Sequence, residues 1–463
     1  MKKYFIIGFL FTGLISCKKD FLDKTPKSLN EESVWADINL AETYANNLYL
    51  GISNGFDRGC SNLSAISDEA NGLYSWTEVE RVNLGDYSAA NAPFFAFDWH
   101  PANQRIWYTQ FNYIRRCNVL LSKIDGVPGA SEAAKNRLKG EALFLRALFY
   151  HDLTKFYGGV PYIKTVTTTE DISALQTPRN TYDECVNLMV ADLDAAATAL
   201  PEAAYKGRAV KASAHALKSR VLLYAKKYPE AAAAAKLVID NSTFVLHPTY
   251  ANLFKVEGSG SNEIIFSKQF FKGQIVHSVD LYNYPGSQGG GWSFTNPTQD
   301  FVDMYEMTDG KSITESPLYS ATNPYANREP RFYQSIVHDN SLFGGATITT
   351  RAGGTDIVTG GGAPVRTSTG YLLRKFINEN VKNELYSLGS FGASYNEWIV
   401  LRLGEVLLNY AEAKNEATGP DASVYDAVNR IRTRAGLPNL PGGLSQSQMR
   451  DKIRHERAIE LAF

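Results

Sequence analysis

Two stretches of the chain hold the side-chain types that suit recognition of a hydroxyl-rich ligand. SDEANGLYSWTEVER (67–81) sets Asp68, Asn71 and Arg81 around Tyr74 and Trp76. YNYPGSQGGGWSF (282–294) sets Tyr282, Tyr284 and Trp292 beside three successive glycines. A carboxylate, an amide and a guanidinium can all hydrogen-bond to hydroxyl groups. An aromatic face offers contact area to the apolar C–H face of a sugar ring. Helix periodicity does not place a tryptophan in a polar, glycine-containing loop, and glycines let the backbone turn sharply and project an indole. These eight residues are the expected ligand contacts; the competing expectation for each aromatic is packing within its own loop.

Chemistry beyond binding is not signalled. The seven histidines are scattered, with no His-Glu-x-x-His and no pair at metal spacing. His151 and His215 sit among apolar residues of helical segments and are expected in a core or groove. Gly258-Ser259-Gly260-Ser261 lacks the strand-turn-helix context of a nucleophile elbow, and no glycine pattern resembles a phosphate loop. A glycosidase pair needs only two acids held about 5–10 Å apart by folding, and no pair stands out. The expectation is therefore no catalysis, no metal and no cofactor. The arginines of 328-REPR-331 and 430-RIRTR-434, with Glu405, Glu412, Glu456 and Glu460, read as buried ion pairs that tie helices together.

A different chemistry is written at the N-terminus. Lys2 and Lys3 precede a dozen mostly apolar residues, too short a run for a membrane-spanning helix, which needs about 20. The layout is that of a signal peptide over residues 1–16. It closes at Leu14-Ile15-Ser16-Cys17, which resembles a bacterial lipobox, so the Cys17 sulfur is expected to carry a lipid and begin the mature chain. Each buried CH₂ contributes about 0.8 kcal/mol, so several acyl chains hold a soluble domain at a membrane surface. The other cysteines, Cys60, Cys117 and Cys185, cannot all pair and are expected as free, mostly buried thiols.

The 463 residues balance 47 basic against 48 acidic side chains with no basic block, which points away from nucleic acid as a partner. Aromatics reach 12% of the chain, with 26 Tyr and 24 Phe, so a surplus remains for a binding surface after a core is filled.

The elements that must position these residues are mostly helical. Patterns run over Glu31–Leu50, Gln104–Ile124, Ser131–Tyr157 and Thr181–Leu200, the last opening with a Thr181/Glu184 capping box. Segments 141–159 and 213–235 share a frame in which Arg146 precedes Tyr150 and Arg220 precedes Tyr224. This frame resembles a tetratricopeptide-type helix pair, with the face of Ala214 and Leu217 buried. A third helical block starts at 397. Between the helical parts, 28–257 and 371–463, residues 258–370 read as loops, short helices and a few hairpin strands, with Glu263–Gln269 a strand or a helix start. Trp35, Trp99, Trp107 and Trp398 are expected in the core.

Several stretches in order resemble the SusD/RagB family of Bacteroidetes surface lipoproteins: Cys17 with the following Lys-Lys-Asp-Phe-Leu-Asp, FYGGVPY (156–162), NREPRFYQSIV (327–337), LRLGEVLLNYAEAKNEA (401–417), NRIRTRAGLP (429–438) and IRHERAIELAF (453–463). The resemblance implies a mostly α-helical fold over 17–463, with tetratricopeptide-like pairs supporting the loop-rich region. It further implies surface exposure at the outer membrane and capture of glycans for a SusC-like TonB-dependent transporter. A peptide-binding relative, a surface glycosidase and a scaffold that binds only proteins are the alternatives. In the family the segment ending ELAF runs on into a further stretch; here the chain stops at Phe463, which reads either as a truncation or as a protein that lacks that stretch, and the last helix is then expected to lack packing partners.

Overall fold

A computed structural model describes residues 31–56, 63–74, 78–85, 106–168, 176–203, 207–357, 366–385 and 393–463. Cys17, Cys60, Trp76 and Trp99 lie outside the described residues, as does the side chain of Arg81. The expected helix over 31–50 is two pieces, Glu31–Val34 and α1 (Ile38–Leu48). Asp37 makes the break: its carboxylate accepts from the Asn39 N–H at 2.8 Å and caps a new helix. Next come α2 (Ile106–Lys123) and α3 (Glu132–Tyr157). Ser131 caps α3, and Gly158 ends it at a φ of 65° that a side chain would resist. The Thr181/Glu184 capping box opens α4 (Tyr182–Ala199) as expected. Then follow α5 (Lys211–Tyr224) and α6 (Tyr228–Ile239), with Pro229 in its first turn.

These helices pack in antiparallel succession, α3 on α2 and α4, α5 on α4 and α6. Ala231, Ala232, Ala234 and Ala235 of α6 are buried, so backbones approach closely there. The repeated frame has a physical counterpart. Arg146 donates to Asp192 of α4 through two nitrogens, at 2.8 and 2.7 Å, and Arg220 pairs in the same way with Glu405. Each arginine thus clamps its own helix to a neighbour by a bidentate contact, buried at Arg146 and half-buried at Arg220. Cys117 and Cys185 are free and buried, and burial pushes the Cys117 thiol up. His151 is buried and burial lowers it to about 3, so it is a neutral groove residue. Trp107 corrects the core expectation: it is 40% exposed, resting edge-on against Tyr157.

The middle of the chain holds only short strands. β1 (Ala70–Gly72) pairs antiparallel with β3 (Thr295–Pro297), and β2 (Ile264–Lys268) pairs antiparallel with β4 (Trp398–Arg402). The segment that read as strand or helix start is therefore a strand, and β4 leads into the C-terminal helices. Between β2 and β3 lies α7 (Val279–Asn283), a single helical turn that is buried throughout.

The C-terminal block is α8 (Leu403–Thr418), α9 (Ala422–Arg434) and α10 (Gln446–Glu460). α8 packs on α5 and α6 and so continues the helical stack. The last helix is not left without partners, because Met449, Ile453 and Ile459 are buried. A buried ionic cluster locks this block to the middle region. Arg331 reaches Glu329, Glu456 and Glu460 at 2.7, 2.6 and 3.0 Å. Arg402 spans Glu263 and Glu460, and Arg432 spans Glu306 and Glu456. Arg434 joins Glu263 and Glu460. Burial would raise the Glu460 carboxyl, but Arg434, Arg402 and Arg331 together hold it well below the usual range. Two arginines depart from the expected pairing. Arg328 donates instead to the carbonyls of Val302, Tyr305 and Pro324, and Arg430 forms no ion pair among the described residues.

Candidate functional site

The β1–β3 ladder brings the two candidate loops together. Asn71 pairs with Asn296 and Gly72 with Thr295, so Tyr74 leaves the ladder beside the chain that carries Trp292. Phe294, fully buried, is the hub. The Tyr74 ring meets it edge-on at 5.1 Å, Tyr282 at 5.7 Å and Trp292 at 5.5 Å. Trp292 lies over Tyr282 at 5.4 Å with the planes 31° apart. Such tilted and edge contacts fit ring quadrupoles and fix the rings' orientations. Tyr74 and Trp292 are half-buried, so each adds surface to the site as well as packing.

Backbone chemistry holds Trp292 in place. Its N–H donates to the Leu281 carbonyl at 2.9 Å, and the Phe294 N–H donates to Tyr282 at 2.8 Å, so 292–294 is sewn to α7 and the residue after it. Between them Ser293 sits at a φ of 51°, an uncommon conformation for a residue with a side chain. The glycine run before it is needed for close approach: a Cβ on Gly291 would fall 2.3 Å from the Tyr284 Cβ. Asn296 is wholly buried; its amide nitrogen donates to Ser293 and its oxygen accepts from the Ser368 N–H at 2.7 Å.

The remaining expected contacts divide. Asn71 is half-buried and its side-chain oxygen accepts from Asn83 at 3.1 Å. Asp68 is exposed; its carbonyl accepts from the Thr298 hydroxyl, and its carboxylate makes no hydrogen bond or ion pair among the described residues. Tyr282 is buried and acts as the floor beneath Trp292 rather than as a contact face. Tyr284 is a correction: it is buried, its ring meets Phe343 edge-on at 4.9 Å, and its hydroxyl donates to the Glu379 carbonyl. It braces the loop and presents no stacking surface.

Sequence reading missed the residue that anchors α7. Asp280 is buried; its oxygens accept from the Asn378 N–H and from the Ser394 hydroxyl, both at 2.7 Å. One carboxylate therefore ties both ends of the 378–394 segment to the turn carrying Tyr282. Burial pushes this carboxyl up to about 6, against the two hydrogen bonds that lower it. No cluster of three or more His, Cys, Asp or Glu suited to a metal occurs among the described residues. No helix among them is long and apolar enough to cross a membrane.

Comparison with known proteins agrees with this architecture. Residues 262–463 match the SusD family, and residues 20–223 match a family described as starch-binding and associating with the outer membrane. A SusD-like protein of Bacteroides fragilis superposes with a TM-score of 0.77 at 30% identity, over 94% of this chain and 85% of that one. The SusD-like protein P2 of Formosa agariphila is 27% identical over 412 residues, 83% of this chain and 72% of that protein. A laminarin-binding SusD-like protein shares the fold with a TM-score of 0.71 at 24% identity, over 94% of this chain and 89% of that one. The chain belongs to the SusD family.

Proposed function

We infer that this protein binds glycans at the outer-membrane surface, held there by a lipid on Cys17, and passes oligo- or polysaccharide to a SusC-like TonB-dependent transporter. The observation that carries the reading is the convergence of Tyr74 and Trp292. Two glycine- and polar-rich loops, more than 200 residues apart in sequence, are paired by a ladder whose outcome is two half-buried aromatic rings sharing one hub. A sugar ring stacks on such a surface through its apolar face, while Asn71 and Asp68 at the rim suit its hydroxyls. The starch-binding description of one matched family and the laminarin binding of one structural neighbour support a neutral polyhydroxy ligand. The near-neutral net charge of −1 suits such a ligand too.

Stacking on one indole contributes on the order of 1–2 kcal/mol, roughly tenfold in affinity. Trp292→Ala should therefore weaken oligosaccharide binding by about that factor in isothermal titration, and Tyr74→Ala should weaken it in the same direction. If both variants stay folded by circular dichroism and bind like the parent, the glycan site lies elsewhere.

A further inference from the structure

Against α7, a pocket of about 210 Å³ opens between Leu281 and residues 376–385 and 393–396. Its floor is apolar, made by Leu281, Phe376, Val381 and Leu385, and Tyr395 stands at its edge. Its rim is polar, with Lys255 and Lys272 alongside Asp280 and Glu384. Lys272 is satisfied, 3.7 Å from Glu384 and with its ammonium 5.7 Å from the Tyr395 ring centre. Asp280, at the pocket wall, has both oxygens taken by Asn378 and Ser394. Glu379 close by is committed to Arg374 at 2.8 Å. The half-buried Lys255 ammonium has no ion pair or hydrogen bond among the described residues, and it feels Asp280 and Glu379 only at a distance. Beside it the Asn378 side-chain oxygen accepts from the Asn380 N–H, while the Asn378 side-chain nitrogen and the Asn380 side-chain amide make no hydrogen bond among the described residues.

We propose that this pocket is a second ligand site, for a single hexuronate unit, with Lys255 receiving its carboxylate and Asn378 and Asn380 its hydroxyls. Each feature of the pocket matches one feature of that ligand. An apolar floor with one aromatic edge fits the C–H face of a sugar ring. Amide groups that both donate and accept fit hydroxyls. A single unpaired ammonium fits one carboxylate by a charge-assisted hydrogen bond, and it falls short of what a doubly charged phosphate would require. The volume holds one ring, not a chain. The pocket and the aromatic cluster share α7, whose Leu281 faces the pocket while its carbonyl receives the Trp292 N–H. This inference deepens the glycan reading and rests on it: the aromatic cluster takes the neutral part of a polysaccharide and the pocket takes an acidic residue or branch.

The test titrates glucuronate and glucose into the parent, Lys255→Met, Lys255→Glu and Trp292→Ala by saturation-transfer NMR and calorimetry. Circular dichroism checks that each variant keeps the fold, and Lys255→Met alone decides if Lys255→Glu, which adds a carboxylate near Asp280 and Glu379, unfolds. Glucuronate should bind the parent at least about tenfold more tightly than glucose, and that preference should vanish in Lys255→Met and reverse in Lys255→Glu. Trp292→Ala should retain it. Equal binding of the two sugars, no binding of glucuronate, or an unchanged preference in both lysine variants overturns the pocket assignment. The glycan reading itself fails separately, through unchanged oligosaccharide affinity in Trp292→Ala and Tyr74→Ala.

Discussion

Arg331→Met should lower the unfolding free energy by about 3–5 kcal/mol near neutral pH, the range for removing one partner from a buried ionic cluster. The guanidinium is 1% exposed and bonds to Glu329, Glu456 and Glu460, which come from two separate segments of the chain. Methionine fills much of the volume and leaves three buried carboxylates short of a cation. Glu329 is already raised by burial, despite Arg331, and should rise further in the variant. A group whose folded pKa is raised adds stability at low pH and loses it as pH rises. The gap between parent and variant in urea denaturation should therefore be smaller at pH 5 than at pH 7.5. Arg430→Met, at a half-buried arginine without an ion pair among the described residues, should stay within about 0.5 kcal/mol of the parent. A loss in Arg331→Met no greater than in Arg430→Met would show that the cluster does not hold the C-terminal block in place.

Leu217→Ala should cost about 2–5 kcal/mol. Leu217 is fully buried on α5, among the alanines and leucines that α5 turns toward its neighbouring helices, so truncation leaves a cavity that close-packed helices cannot fill. Leu237, on α6 and 57% exposed, supplies the contrast: Leu237→Ala should change stability by no more than about 0.5 kcal/mol. Equal effects at the two positions in thermal or urea unfolding would mean that the helix frame is wrongly placed.

The helical stack was largely legible because its signals are local. Thr181 and Glu184 sit at the spacing of a capping box, Ser131 precedes a helix, and Arg146 and Arg220 recur in one frame; each is read within a single turn or two. The buried ionic cluster was legible as a set of arginines and glutamates, although which of them would meet was not, and Arg328 turned instead to backbone carbonyls. The site was legible only in part. Tyr74 and Trp292 stand out in the sequence as expected ligand contacts because glycine-rich polar loops have no local reason to hold them, and the structure brings both rings onto Phe294. That their loops meet was not visible: three-residue strands, Ala-Asn-Gly and Thr-Asn-Pro, show no alternation and pair across more than 200 residues. Tyr284 has the same local setting as Trp292, yet Phe343 and the Glu379 carbonyl enclose it, and both come from distant segments. Asp280 looked like any carboxylate, since its two partners follow it by about 100 residues. Trp107 shows the reverse failure, an aromatic at helical spacing on a face that the stack leaves exposed.

The measurement that bears most directly on the glycan reading is a crystal structure of the protein with the oligosaccharide it binds most tightly on a glycan array. The expected result is a sugar ring in contact with the Trp292 indole and the Tyr74 ring, with hydroxyls within hydrogen-bond reach of Asn71 or Asp68. A sugar bound with no contact to Trp292 or Tyr74, or an array on which no glycan binds, would contradict it.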